Sequence, residues 1–126
     1  MATRMTAKER RQAPRVAERV AVAISSSDGE AIQAETQNLS TTGAYCLLDR
    51  FIAPLTKLEL AFELPNGARR TRIRGTGVVV RVEPRITEGS QSHYYVAIFF
   101  SEMSDRHRDA ISKFVRRRLP SSSPTR

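Results

Sequence analysis

The chain has 126 residues, the size of one domain, and carries 21 Lys and Arg against 13 Asp and Glu for a formal charge of +8. Eighteen of the 21 cations are arginine, the lone cysteine is Cys46, and 40% of residues are apolar. This size and composition exclude a multidomain enzyme, a disulfide scaffold and wholesale disorder, and the arginine excess points to an anionic partner.

Residues 1–15 are polar and charged with no apolar periodicity, which predicts a flexible arginine-rich arm or a short helical turn leading to Pro14. The opening residues have no apolar run of the kind a secretory leader needs, and no stretch approaches the roughly 20 apolar residues of a membrane helix. With one free cysteine, the expectation is a cytoplasmic protein without membrane insertion. From Val16 the pattern changes, and Val20, Val22 and Ile24 alternate with small residues as a half-buried strand. Ser25 to Gly29 reads as a turn, with Asp28-Gly29 as its hairpin signal. A second strand is expected over Ala31 to Leu39, interrupted by Ser40-Thr41-Thr42-Gly43 and resuming over Ala44 to Leu48.

Leu58, Leu60, Phe62 and Leu64 alternate with polar or small residues, the clearest two-residue period in the chain. Pro65-Asn66-Gly67 closes that strand. The next strand carries Arg70, Arg72 and Arg74 on a wet face, then Gly75-Thr76-Gly77, whose paired glycines predict a bulge or bend. Pro84 is expected to end it, Thr87 to Ser92 to form a polar loop, His93 to sit in a loop, and Tyr94 to Phe100 to be the last strand. The period then switches to helical, with Ala110, Ile111, Phe114, Val115 and Leu119 on one face. Ser104 is placed to cap this helix and Pro120 to stop it, leaving 120–126 as a disordered tail. The fold class is therefore mainly β: a small antiparallel six-stranded β-barrel over 16–119, one C-terminal α-helix and a flexible N-terminal arm.

Catalysis has little support, so the chain reads as a non-enzyme with no cofactor and no metal. His93 and His107 are the only histidines, no Cys/His spacing suits zinc, and no nucleophile elbow or phosphate-cradling glycine loop occurs. Cys46 lies among apolar strand residues and is expected to be buried and inert.

Two short patterns remain. One is Arg11-Gln12-Ala13-Pro14-Arg15, preceded by Arg10; the other is Asn38-Leu39-Ser40-Thr41-Thr42-Gly43. Together they resemble the PilZ family of cyclic di-GMP receptors, whose signature is Arg-x-x-x-Arg on an N-terminal arm followed by Asp/Asn-x-Ser-x-x-Gly. The resemblance covers roughly Glu9 to Leu119. Arg15 to Arg19 also reads Arg-x-x-x-Arg, but Arg19 is expected in or beside the first strand, so Arg11 and Arg15 are preferred. One departure is Ala97, where many members carry a glycine in the last strand.

The resemblance implies that Arg10, Arg11, Arg15, Asn38, Ser40 and Gly43 bind cyclic di-GMP. Arginine suits that ligand because its planar fork pairs with phosphate oxygens or a guanine edge and its face stacks on a base. Asn38 offers an amide that reads a guanine edge, the Ser40 hydroxyl reaches a phosphate or the local backbone, and Gly43 permits positive φ and close approach. The implied function is a single-domain receptor or adaptor that signals through an unidentified effector protein to motility, exopolysaccharide or biofilm control. The alternatives are a PilZ-like protein-interaction module without ligand, which Ala97 favours, and a basic nucleic-acid-binding barrel. The low aromatic content opposes the latter. So does the charge distribution: residues 1–19 carry +4, 20–105 carry −2 and 106–126 carry +6, so the basic excess sits at the two ends.

Overall fold

The computed structural model describes residues 16–26, 31–86 and 93–118. The expected arm (1–15), the Asp28-Gly29 turn, the loop Thr87 to Ser92, Leu119 and the tail 120–126 lie outside the described residues. The elements are β1 Ala21–Ser25, β2 Ala31–Leu39, β3 Gly43–Leu48, β4 Lys57–Asn66, β5 Arg69–Arg85, β6 His93–Met103 and α1 Asp105–Arg118. The strands close into an antiparallel barrel in the order β1-β2-β3-β6-β5-β4.

Alternation builds the interior. Val22, Ile24, Leu58, Leu60, Phe62, Ile73, Val79, Val96, Ile98 and Phe100 point inward and are buried. α1 adds Ile111, Phe114 and Val115 to the same core and packs on β4 and β5. Ser104 accepts the His107 N–H at 3.1 Å and so caps the helix, and Arg74, through its own N–H, donates to His107 Nδ1 at 3.2 Å. Gly67, with φ 66°, makes the tight reversal between β4 and β5. At Gly77 a Cβ would lie 2.5 Å from Ile98 Cγ2, so the close approach of β5 to β6 needs glycine there; the expected irregularity follows as a register shift between Thr76 and Gly77.

Three expectations are corrected. Residues 31–48 are not one interrupted strand: Ser40 N–H donates to the Gly43 carbonyl at 2.9 Å, and the chain reverses so that β2 and β3 pair antiparallel. The first strand forms over Ala21–Ser25 with Val22 and Ile24 inward, as their alternation requires; ahead of it Val16 makes an isolated bridge to Leu39, and Thr36 Oγ1 accepts the Val20 N–H at 2.9 Å and donates to the Glu18 carbonyl. Pro84 does not end β5, which runs on to Arg85. β4 pairs with β5 only as far as Val78, so beyond the Leu55–Val79 contact one edge of β5 is open and a missing proline N–H breaks nothing there. Likewise His93 is not in the loop but opens β6, paired with Arg85.

Cys46 is 1% exposed, as expected, and burial pushes its thiol up to about 12. In the unfolded chain the thiol ionises near 9.0, so between the two values the unfolded state binds fewer protons. Folding stability is therefore expected to fall with rising pH across that window, by about 1.4 kcal/mol per pH unit. Denaturant titrations at pH 8 and pH 10 check this against a Cys46→Ala variant, whose stability should lack that increment.

Candidate functional site

Two bulges shape one side of the barrel. In β2 the register shifts between Thr36 and Asn38: Thr36 and Leu39 are both fully buried, and the extra residue leaves Gln37 and Asn38 facing outward. In β5 a second shift falls between Val79 and Arg81: Val79 is buried, Val82 packs on the core, and Val80 and Arg81 both face outward. Strict alternation from Val79 would bury Arg81. The bulge turns it out instead.

These side chains meet in one row across four strands. Asn38 pairs with Tyr45, Tyr45 with Ala97, and Ala97 with Arg81. The row floors a concavity of about 170 Å³ whose rim includes Ser40, Gly43, Val80 and Phe99. Val80 is 54% and Phe99 41% exposed, so the rim has an apolar side. Glu83 links the wall: it accepts from Tyr45 Oη at 2.9 Å and lies 3.7 Å from Arg81 Nε. Tyr45 stacks on Tyr95 with ring centroids 5.3 Å apart. Burial first, and then the bond to Glu83, raises the Tyr45 phenol above its ordinary value and keeps it a donor.

The Ser40–Gly43 turn borders the floor and is held from three directions. Ser40 is 3% exposed; its Oγ accepts the Thr42 N–H at 3.2 Å and lies 3.1 Å from Thr42 Oγ1. Phe100 N–H on β6 donates to the Thr42 carbonyl at 2.9 Å, and Arg108 of α1 donates to the Thr41 carbonyl. Ser40 thus serves the local backbone. Ser40→Ala is expected to cost about 1–2 kcal/mol by stripping the Thr42 N–H of its partner; a denaturant midpoint within error of the wild type would count against it. Gly43 also has a different reason from positive φ, since only Gly67 among the described glycines has one. A Cβ at Gly43 would lie 2.3 Å from the Ile98 carbonyl oxygen, so glycine is required by the contact of β3 with β6.

The structure therefore brings Asn38, Ser40 and Gly43 together. Arg10, Arg11 and Arg15 lie outside the described residues, and the described chain begins at Val16, hydrogen-bonded both ways to Leu39 at 3.0 Å. Arg19, the alternative end of the arginine pattern, is elsewhere: it lines a separate concavity of about 420 Å³ together with Arg70 and Arg72. Tyr45, Arg81, Val80 and Phe99 are additions that periodicity did not reveal, because the bulges that expose Val80 and Arg81 have no local sequence mark of their own.

The family model for the PilZ domain matches residues 9–117. Among solved structures, the inhibitor of motility MotI/DgrA from Bacillus subtilis superposes with a TM-score of 0.72 at 22% identity, over 85% of this chain and 50% of that one. The chain thus spans half the length of that protein. The PilZ domain of YcgR from Escherichia coli, solved with c-di-GMP, superposes with a TM-score of 0.64 at 12% identity, over 86% of this chain and 90% of that one. No curated protein sequence matches significantly. These likenesses agree with the six-stranded barrel and its helix, and the family match spans most of the sequence: the chain belongs to the PilZ domain family.

Proposed function

We propose that this protein is a receptor for cyclic di-GMP that performs no catalysis and acts through a partner protein. The observation that carries the reading is the placement of Asn38 and Arg81 by two bulges at opposite ends of one row, beside the point where Val16 pairs with Leu39. Arg15 is one peptide bond from that anchor, so the arginine arm is tethered at the edge of the floor. The floor is small. Its volume of about 170 Å³ lies below the about 300–1,000 Å³ of usual ligand sites, so a dinucleotide needs a second wall.

The arm supplies it. Arg10, Arg11 and Arg15 fold over the ligand and pair with its phosphates and guanine edges, while the Asn38 amide and Arg81 meet it from the barrel. Ser40 and Gly43 keep the adjoining turn in place. Ligand held between these arginines and the barrel changes the surface offered to a partner. The fold shared with a c-di-GMP-bound domain and with a motility inhibitor supports this reading and suggests motility among its outputs.

Calorimetric titration with cyclic di-GMP, beside GTP and an unrelated cyclic dinucleotide, tests it. Saturable heat with cyclic di-GMP alone is expected. Equal heats from all three, or none, would reject the assignment. Ala97 sits in the middle of the floor, between Tyr45 and Arg81. Ala97→Gly is expected to tighten binding by about 1 kcal/mol, roughly fivefold, by removing the methyl that holds a base off the strand. Unchanged or weaker binding in the same titration would show that the methyl does not obstruct.

A further inference from the structure

The C-terminal helix reaches the ligand turn through Arg108, while Arg106, Lys113 and Arg117 stand elsewhere. One face of α1 borders the β4–β5 hairpin across a groove of about 270 Å³, lined by Pro65, Asn66, Arg106, Lys113, Phe114 and Arg117. The three cations are exposed and stand along one side of the helix. Asp109 is the acid among them and pairs with Lys113 at 3.2 Å, while Arg117 donates to Asn66 Oδ1 at 3.1 Å and is thereby fixed toward the hairpin. Phe114 is 2% exposed, so the groove offers no ring on which a base can stack.

We propose that this groove docks an acidic segment of a partner protein. Three cations against one carboxylate give the groove a positive excess that a run of glutamates or aspartates complements. From Arg106 to Arg117 the helix rises about 16 Å, the length of about five residues of extended peptide. The lack of an exposed aromatic surface favours a peptide over a single-stranded nucleic acid. The helix is also bonded to the ligand turn through Arg108 and the Thr41 carbonyl, so a partner seated on α1 is in structural contact with the site. The proposal rests on the adaptor reading for its biological sense but not on the identity of the small ligand.

Anisotropy of fluorescein-labelled hexaglutamate on the full chain tests it, with hexaglutamine as the neutral control. R106Q/K113Q/R117Q is expected to weaken hexaglutamate at least tenfold. R19Q/R70Q/R72Q, which removes the same charge from the other concavity, is expected to change it less than twofold. Equal weakening by both variants, or none by the first, overturns the proposal. So does a twelve-residue oligothymidylate that displaces the peptide at lower concentration than unlabelled hexaglutamate does. Circular dichroism confirms that the variants fold, and the single R106Q, expected to weaken the peptide about threefold, serves if the triple does not. Cyclic di-GMP titrated onto R106Q/K113Q/R117Q should bind as to the wild type; its loss would place the groove within the ligand site and overturn the separation. A wild-type chain that takes hexaglutamate through the groove but no cyclic di-GMP would uphold the docking surface and reject the receptor reading.

Discussion

Gly43→Ala is expected to destabilise the protein by about 2–3 kcal/mol and to lower its melting temperature by roughly 10 °C. The added methyl would lie 2.3 Å from the Ile98 carbonyl oxygen and 3.3 Å from its carbon. Both are backbone atoms, so no side-chain rotation relieves the clash. β3 and β6 must part where Gly43 pairs with Phe99, and the Thr42 carbonyl moves away from the Phe100 N–H that it accepts. The displacement passes directly to Ser40 and the floor of the concavity, so ligand affinity should fall with stability. Gly67→Ala separates this cause from glycine substitution in general. Gly67 has nothing within 4 Å of a new Cβ but a φ of +66°. Its cost is conformational, about 1 kcal/mol, and the remote hairpin leaves ligand binding untouched. Thermal melts followed by circular dichroism compare the two, and a Gly43→Ala midpoint within about 3 °C of the wild type would contradict the steric argument.

The core was legible because it obeys a simple period. Leu58, Leu60, Phe62 and Leu64 alternate without interruption, and β4 forms as the pattern requires. The helix was equally plain, since Ile111, Phe114 and Val115 recur at helical spacing and all three are buried. What alternation cannot convey is a change of phase. Thr36 and Leu39 are both buried at a spacing of three, which reads as noise until the β2 bulge explains it. The same holds for Val79, Arg81 and Val82, where a run of valines conceals the step that exposes the arginine. These two steps present Asn38 and Arg81 on the floor of the site, so the least legible backbone is the part that gives the site its shape. Asn38 was recognised nonetheless, because the spacing to Ser40 and Gly43 carries a family pattern. Arg81 belongs to no such pattern, and only its neighbours in the sheet mark it. Pro84 is ambiguous in the sequence for a related reason: its effect depends on which edge of β5 is paired, and that is a property of the sheet.

The arginine pattern admits two registers, and the placement of Arg19 makes them separable by experiment. Arg15→Ala is expected to weaken cyclic di-GMP by about 1.5–3 kcal/mol, roughly ten- to 150-fold, the range for a lost charge-assisted hydrogen bond. Arg11→Ala should do likewise, because Arg11 completes the preferred Arg-x-x-x-Arg with Arg15. Arg19→Ala should leave affinity within about twofold, since Arg19 lines the 420 Å³ concavity of the Arg70 and Arg72 face and the hollow bordered by Asn38 has no residue in common with it. Losing one arginine changes the net charge equally in all three variants, so general attraction for a dianion cannot produce a difference among them. Calorimetry at a single moderate salt concentration is sufficient. Large losses for Arg11 and Arg15 with none for Arg19 would fix the arm to the edge of the floor beside Val16. A loss for Arg19 comparable to that for Arg15, with Arg11 silent, would move the ligand across β1 and require the site to be redrawn around Arg70 and Arg72.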